Sequence, residues 1–148
     1  MPHFTLQISP HGPILEALVS ISSARLAAIK RAGKQPPPPI PVRALLDTGA
    51  SCTCIEPSIL QALNLEPRGQ TSAFTPSSGA KPVACFQYDV GLVIPSGGVA
   101  FVTHNLLVIE AVADSLHPQG IQALIGRDIL KHCLLNYNGV VDFFTLAY

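Results

Sequence analysis

Residues 42–51 read VRALLDTGAS, and this stretch decides the fold. Three apolar residues, 44–46, lead without a break into Asp47, which is typical of a buried strand that ends at an acid. Burial of an acid is costly unless hydrogen bonds satisfy it. Gly49 permits a tight turn that aims backbone N–H groups at the carboxylate, and the Thr48 hydroxyl can bond to neighbouring backbone. The alternative is a purely structural turn, in which Asp47 bonds its own backbone.

A second stretch, residues 123–130, reads ALIGRDIL: apolar residues, then Gly126, Arg127 and a short helix. Between the two stretches, residues 74–83 (FTPSSGAKPV) form a glycine-tipped loop with apolar flanks, which predicts a hairpin. The two stretches resemble the two signatures of the retropepsin-like aspartic protease family, and the hairpin lies where that family has its flap. Signature order, spacing and domain size all agree with the family.

The resemblance implies a mostly β fold, a retropepsin-like acid-protease β-barrel with one or two short helices. We expect residues 1–148 to form a single domain of this kind. Residues 22–39 are predicted to be a surface insertion, because a helix-prone segment, capped by Ser22 or Ser23, precedes a four-proline run. The proline run favours an extended polyproline II conformation.

Peptide hydrolysis by carboxylates needs one acid to take a proton from water and another to give one to the peptide. Asp47 is the only aspartate in the chain that Thr-Gly or Ser-Gly follows. The second carboxylate must therefore come from a second copy, which predicts a homodimer with a two-fold axis through the site. The resemblance implies that the two Asp47 carboxylates are catalytic and share one proton, with no metal, cofactor or covalent intermediate.

The resemblance also assigns the remaining site residues. Thr48 and Gly49 are expected to shape the active-site turn, and Gly126 to let the backbone approach the active-site strand. Arg127 is expected to form a buried or interfacial ion pair, or else to be a solvated arginine at a helix start. Contacts to the peptide substrate are expected from the turn and from the flap tip, at Ala50, Ser51, Ser77, Ser78 and Gly79.

Alternating residues predict strands at both ends of the chain. Residues 4–8 are expected to form a strand that pairs with a second strand, on which Leu15, Ala17, Val19 and Ile21 share one face. Residues 139–144 are expected to form the final strand. Phe4, Phe143 and Phe144 are candidate anchors of the dimer interface, because exposed terminal aromatics would otherwise be a liability.

Composition excludes several function classes. Nine basic and nine acidic residues give zero formal net charge, and the absence of a basic stripe argues against nucleic-acid and membrane-surface binding. No signal-peptide pattern is visible at the N-terminus, so we expect a cytoplasmic protein with reduced thiols. The spacing of Cys52 and Cys54 does not fit a zinc site.

Three functional hypotheses remain open on the sequence. The first is an active homodimeric endopeptidase, which the intact Asp-Thr-Gly favours. The second is a catalytically idle domain of the same fold that binds peptides or dimerises. The third, a non-enzymatic β-barrel, would require both signatures to be accidental. The sequence gives neither the cleavage preference nor the role of residues 22–39.

Overall fold

The computed structural model describes residues 1–75 and 78–148. Within these ranges, strands are the predominant regular structure, and the helices are short. The strands are β1 His3–Gln7, β2 Ile14–Ile21, β3 Ile40–Leu46, β4 Cys54–Ile55, β5 Gly69–Ala73, β6 Val83–Ile94, β7 Phe101–Glu110, β8 Ala123–Ile125, β9 Leu134–Asn138 and β10 Phe143–Ala147. The helices are α1 Ser23–Arg31, α2 Pro57–Ala62 and α3 Arg127–Leu130, with a 3-10 turn at His117–Gln119.

The larger sheet closes on itself as a barrel. Its strand order is β2-β3-β8-β4-β7-β6, and β6 pairs again with β2, while β5 extends from β6. Two pairs are parallel, β3 with β8 and β4 with β7, and the others are antiparallel. The predicted mostly β barrel is therefore confirmed. Its interior is aliphatic, and residues such as Ile55, Val90, Ile94 and Ile125 are fully buried.

Strand β2 follows its sequence pattern. Leu15, Ala17, Val19 and Ile21 are buried, while Glu16 between them is exposed. The predicted pairing of β2 with the first strand is wrong, because β2 pairs with β3 and β6. Alternation fixes which face is buried, but it does not select the partner strand.

The two chain ends form a separate three-stranded sheet in the order β1-β10-β9. The final strand is present, but its predicted start at residue 139 is wrong: residues 139–142 are a turn, with Asp142 at φ 55°, and β10 begins at Phe143. Phe144 is fully buried and belongs to the core, so it is not an interface anchor. Phe4 packs edge to face against Tyr148, with ring centroids 6.4 Å apart. Phe143 remains half exposed.

Residues 22–39 contain α1 followed by an extended proline segment. Ser22 caps the helix, since its side chain accepts a hydrogen bond from the Arg25 amide. No residue of α1 is buried, and the helix is attached through Leu26 and Ile29, which pack on the core. No helix in the described part of the chain is long and apolar enough to cross a membrane.

Candidate active site

Asp47 follows the last residue of β3, at the point where the strand leaves the barrel. Its backbone amide donates to the carbonyl of Ile125 on β8 at 3.0 Å, so the parallel pairing of β3 and β8 carries through to the acid. The side chain is half-buried, and Oδ1 accepts the Gly49 amide at 2.8 Å. Oδ2 makes no hydrogen bond within residues 1–75 and 78–148, which leaves one carboxylate oxygen open for chemistry.

The turn after Asp47 has no room for a side chain at position 49. A Cβ built on Gly49 would lie 3.0 Å from Asp47 Oδ1, so glycine there lets the amide approach the carboxylate. Thr48 is exposed, and its hydroxyl has no hydrogen-bond partner in the part of the chain that the structure describes. The predicted bridge from this hydroxyl to neighbouring backbone is therefore not made within the chain.

The side chain of Arg127 bonds the backbone carbonyls of the turn. Its guanidinium Nη1 donates to the carbonyls of Thr48 and Gly49, at 2.7 and 3.1 Å. Its backbone amide donates to the Ala50 carbonyl at 2.9 Å. No carboxylate pairs with Arg127 among the described residues. The predicted ion pair is thus not formed within the described residues, and Arg127 instead donates hydrogen bonds to backbone carbonyls of the sharp turn.

Gly126, which follows β8, lies close against the loop that comes after the Asp47 turn. A Cβ at this position would lie 2.5 Å from the Cys52 carbonyl carbon and 2.6 Å from its oxygen. Only glycine fits between the two backbones. The close approach is to the loop at Cys52 and not to strand β3, and it keeps the active-site loop against β8.

A buried polar network supports this contact, and the sequence analysis assigned it no role. Thr53 is fully buried, and its hydroxyl and amide donate to the Asp128 carboxylate at 2.8 and 2.9 Å. The same hydroxyl accepts the Gly126 amide at 3.2 Å. Asp128 also accepts the Ile129 amide at 3.0 Å. The only sequence signal for this network was the position of Asp128 directly after Gly126-Arg127.

The predicted hairpin is present, because β5 and β6 pair antiparallel on either side of residues 74–82. Thr75 and Ser78 bond reciprocally: the Thr75 amide donates to Ser78 Oγ at 3.1 Å, and the Ser78 amide to Thr75 Oγ1 at 3.2 Å. Gly79 is exposed at φ 62°. Ser77, predicted at the flap tip, lies outside the described residues. Phe74 at the start of this loop is 72% exposed, an aromatic side chain to which the sequence analysis gave no function.

Ala50 and Ser51, the two substrate contacts predicted on the turn, differ in which of their groups are available to a substrate. Ala50 has its amide bonded to the Asp47 carbonyl at 3.2 Å and its carbonyl bonded to Arg127, so both of its backbone groups are already used within the chain. Ser51 is exposed, so its side chain is accessible to a ligand.

Residues 39–129 match the family model described as "Aspartyl protease", and they contain both the Asp47 turn and the Gly126-Arg127 segment. The chain belongs to the aspartyl protease family. No curated protein sequence matches it.

Among solved structures, this aspartyl protease family member is similar to a retropepsin-like aspartic protease from Rickettsia conorii, with a TM-score of 0.59 at 17% identity. That alignment covers 99% of this chain and 91% of the other. It shows that the fold is retropepsin-like. A weaker match is the retroviral protease-like domain of Ddi1 from Leishmania major, with a TM-score of 0.40, 14% identity and coverage of 86% and 82%.

All four cysteines of this family member are free thiols. Burial raises the pKa of Cys52, even though a hydrogen bond from Ser51 lowers it. Burial raises the pKa of Cys54 to about 12. Both thiols near the active-site loop are therefore protonated at neutral pH, and neither is an activated nucleophile.

Proposed function

We propose that this protein is an aspartic endopeptidase that acts as a homodimer, with one Asp47 from each protomer forming the catalytic pair. The observation that carries the proposal is the state of Asp47. Its Oδ1 accepts the Gly49 amide, its Oδ2 has no partner among residues 1–75 and 78–148, and Arg127 bonds the carbonyls of the turn around it. A purely structural Asx turn would also hold Oδ1 through the Gly49 amide, but it would not need Arg127 to bond the carbonyls of the turn.

One chain supplies half of the required chemistry. The carboxylate within the second signature, Asp128, accepts hydrogen bonds from Thr53 and from the Ile129 amide. It supports the loop and is not available as the second acid. A two-fold axis beside Asp47 would bring two copies of the same turn together, as an isologous dimer requires.

In such a pair, two close carboxylates share one proton because both cannot carry charge at that distance. The ionised carboxylate takes a proton from a water molecule, which attacks the scissile carbonyl. The protonated carboxylate polarises that carbonyl and afterwards supplies a proton to the leaving amine. The Gly49 amide on Oδ1 fixes the carboxylate plane, so that Oδ2 faces the reacting water.

The sheet of chain ends supports dimerisation. Its outer strands, β1 and β9, each have one edge without a partner in the described chain. Large apolar side chains stand half exposed on this sheet: Leu6, Leu134, Tyr137 and Phe143. Unpaired strand edges and exposed apolar area are both features that a partner would cover.

The hairpin between β5 and β6 supports an extended peptide as substrate. We propose that it closes over the peptide as a flap, with Ser78 and Gly79 near its tip and Phe74 covering an apolar side chain of the substrate. Backbone pairing along the hairpin gives affinity without sequence preference, while side-chain contacts give selectivity. Closure would also exclude water from the Asp47 pair.

A mixing experiment tests the shared pair. Wild-type protein is mixed with increasing amounts of Asp47→Asn, and cleavage of an unfolded protein is measured per wild-type protomer. Random exchange into dimers should leave about half of the activity per wild-type protomer at a 1:1 ratio, because half of the wild-type chains then face an inactive partner. Asp114→Asn, which changes an aspartate far from the turn in sequence, is the matched control and should not inhibit.

Activity per wild-type protomer that stays constant during the titration would contradict a shared pair. Activity that is absent at every pH, with dimerisation and peptide binding intact, would favour the idle binding module instead.

A further inference from the structure

Charge is unevenly distributed along this neutral chain. Residues 22–39 contain four of the nine basic residues and no acidic residue: Arg25, Lys30, Arg31 and Lys34. No Asp or Glu occurs anywhere between Glu16 and Asp47. The insertion is therefore a cationic element on a protein whose remaining residues carry an excess of negative charge.

The insertion also supplies most of the lining of a groove of about 400 Å³, a volume in the range typical of ligand sites, ~300–1,000 Å³. Helix α1 and its C-cap contribute Ala28, Ile29 and Ala32, and the C-cap of α2 contributes Leu63. We call these four apolar residues the floor of the groove; the polar side chains of Gln35 and Asn64 line it as well. Arg25 and Lys34 line the same groove.

The proline segment acts as a rigid wall of this groove. Pro37 lines it, and Pro36 and Pro37 are half-buried, whereas Pro38 and Pro39 face solvent. Proline-rich segments can themselves bind to aromatic-lined grooves of other proteins, but their rings must then be exposed. Because Pro36 and Pro37 are half-buried, this segment is better suited to line a binding groove than to act as such a ligand. Prolines also fix the backbone in advance, which lowers the entropy that binding must overcome.

The cations of the groove are free to bind an anion. Arg25 and Lys34 are exposed, and neither forms an ion pair in the part of the chain that the structure describes. Asp89, which shares a neighbouring cavity with Arg25, is instead paired with Arg68 at 3.0 Å. An apolar floor with unpaired positive groups complements a ligand that combines apolar and negative groups.

We infer that this groove binds an acidic peptide segment that carries an apolar side chain, donated by another protein. The apolar side chain lies on Ala28 and Ala32, and flanking carboxylates reach Arg25 and Lys34. Nucleic acid fits less well, because the groove has no aromatic side chain on which a base could stack. The groove lies by the start of β3 and Asp47 at its end, about 20 Å apart at ~3.3 Å per residue, so the two sites are separate.

Fluorescence anisotropy with a labelled probe tests this inference. The probe is a hexapeptide, Asp-Glu-Leu-Ile-Glu-Asp, and the protein carries Asp47→Asn so that the peptide is not cleaved. Saturable binding is expected, weakened by salt. Arg25→Glu with Lys34→Glu should weaken binding about tenfold or more. Arg43→Glu with Lys131→Glu makes the same change of charge at exposed positions outside the groove and the flap, and it should leave binding intact.

A second variant separates the groove from general charge attraction. Ala28→Trp fills the groove from an exposed helix position without changing any charge, and it should abolish binding while the circular dichroism spectrum and melting curve stay those of the parent protein. Binding that survives Ala28→Trp would overturn the groove as the site. So would the absence of saturable binding by the parent, or equal competition by a single-stranded oligonucleotide. None of these results bears on cleavage at Asp47.

Discussion

Thr53 presents both its hydroxyl and its amide to the carboxylate of Asp128, at 2.8 and 2.9 Å, from a fully buried position. Asp128 stands two residues after Gly126, and Thr53 follows Cys52, whose backbone Gly126 touches. The pair therefore ties the loop after Asp47 to the start of α3. Stability and catalysis should both depend on it.

Replacement of Asp128 by alanine leaves the hydroxyl and amide of Thr53 without an acceptor in the protein interior. We expect the free energy of unfolding to fall by about 2–3 kcal/mol, as is typical when a charged acceptor is removed from buried donors. Urea denaturation measures the change. Glu66→Ala removes an exposed carboxylate and should change stability by less than about 0.5 kcal/mol. Equal stability of the two variants would contradict the network.

Gly126→Ala should be among the most damaging small substitutions in the chain. The new methyl group would overlap the Cys52 backbone, which cannot change conformation as easily as a flexible side chain could. We expect a loss of about 3 kcal/mol or failure to fold, at or above the usual cost of overpacking. Gly97→Ala introduces the same methyl where no atom lies within 4 Å, and its denaturation midpoint should stay near that of the wild type.

The Cys54 thiol makes a contribution to the stability of the protein that is lost at high pH. Burial raises its pKa from 9.0 to about 12, so above pH 9 the thiol ionises in the unfolded chain and stays neutral in the folded one. The folded state then holds the extra proton, and the contribution of Cys54 to stability, complete below pH 9, is lost as the pH rises towards 12.

The comparison with Cys54→Ala isolates this contribution. Unfolding free energies of the two proteins should run parallel from pH 7 to 8.5 and converge between pH 9 and 11. Curves that stay parallel across the whole range would show that Cys54 ionises normally in the folded protein.

Residues 22–39 should be replaceable by a short turn. Val19 and Ile40 are paired across β2 and β3, so the two strands already meet as a hairpin without the insertion. The loss of the Leu26 and Ile29 contacts should lower stability by about 1–3 kcal/mol, since both are only partly buried. Differential scanning calorimetry should still show one cooperative transition, and cleavage activity should remain. Loss of cooperative unfolding would mean that the segment belongs to the core or to the dimer contact.

Much of the fold could be predicted from sequence because the barrel strands obey local rules. The alternation in β2, the capping of α1 by Ser22 and the apolar run into Asp47 each indicate their structure within a few residues. The pairing of β1 with β10 could not be predicted in this way, because it joins residues 136 to 144 positions apart and local pattern holds no information on that partner.

The active-site region shows the same division. The tight turn at Asp47, Thr48 and Gly49, with a backbone amide directed at the carboxylate, could be predicted from the motif. The bonds of Arg127 to the turn carbonyls and the buried Thr53–Asp128 pair could not, because both depend on how a loop and a helix distant in sequence are packed together. The turn at residues 139–142 was missed because Val140 and Val141 favour a strand while lying exposed in the turn.

The most direct test of the account is the cleavage rate of Asp47→Asn on an unfolded protein substrate, measured from pH 4 to 7 beside wild type. Asparagine keeps the shape of the side chain and an acceptor for the Gly49 amide, but it cannot take a proton from water. We predict that wild type cleaves best below neutrality and is inhibited by pepstatin. Asp47→Asn should lose activity by at least about a thousandfold while its melting curve and dimeric mass are retained. A variant that cleaves as fast as wild type would make Asp47 a structural turn residue and contradict the account.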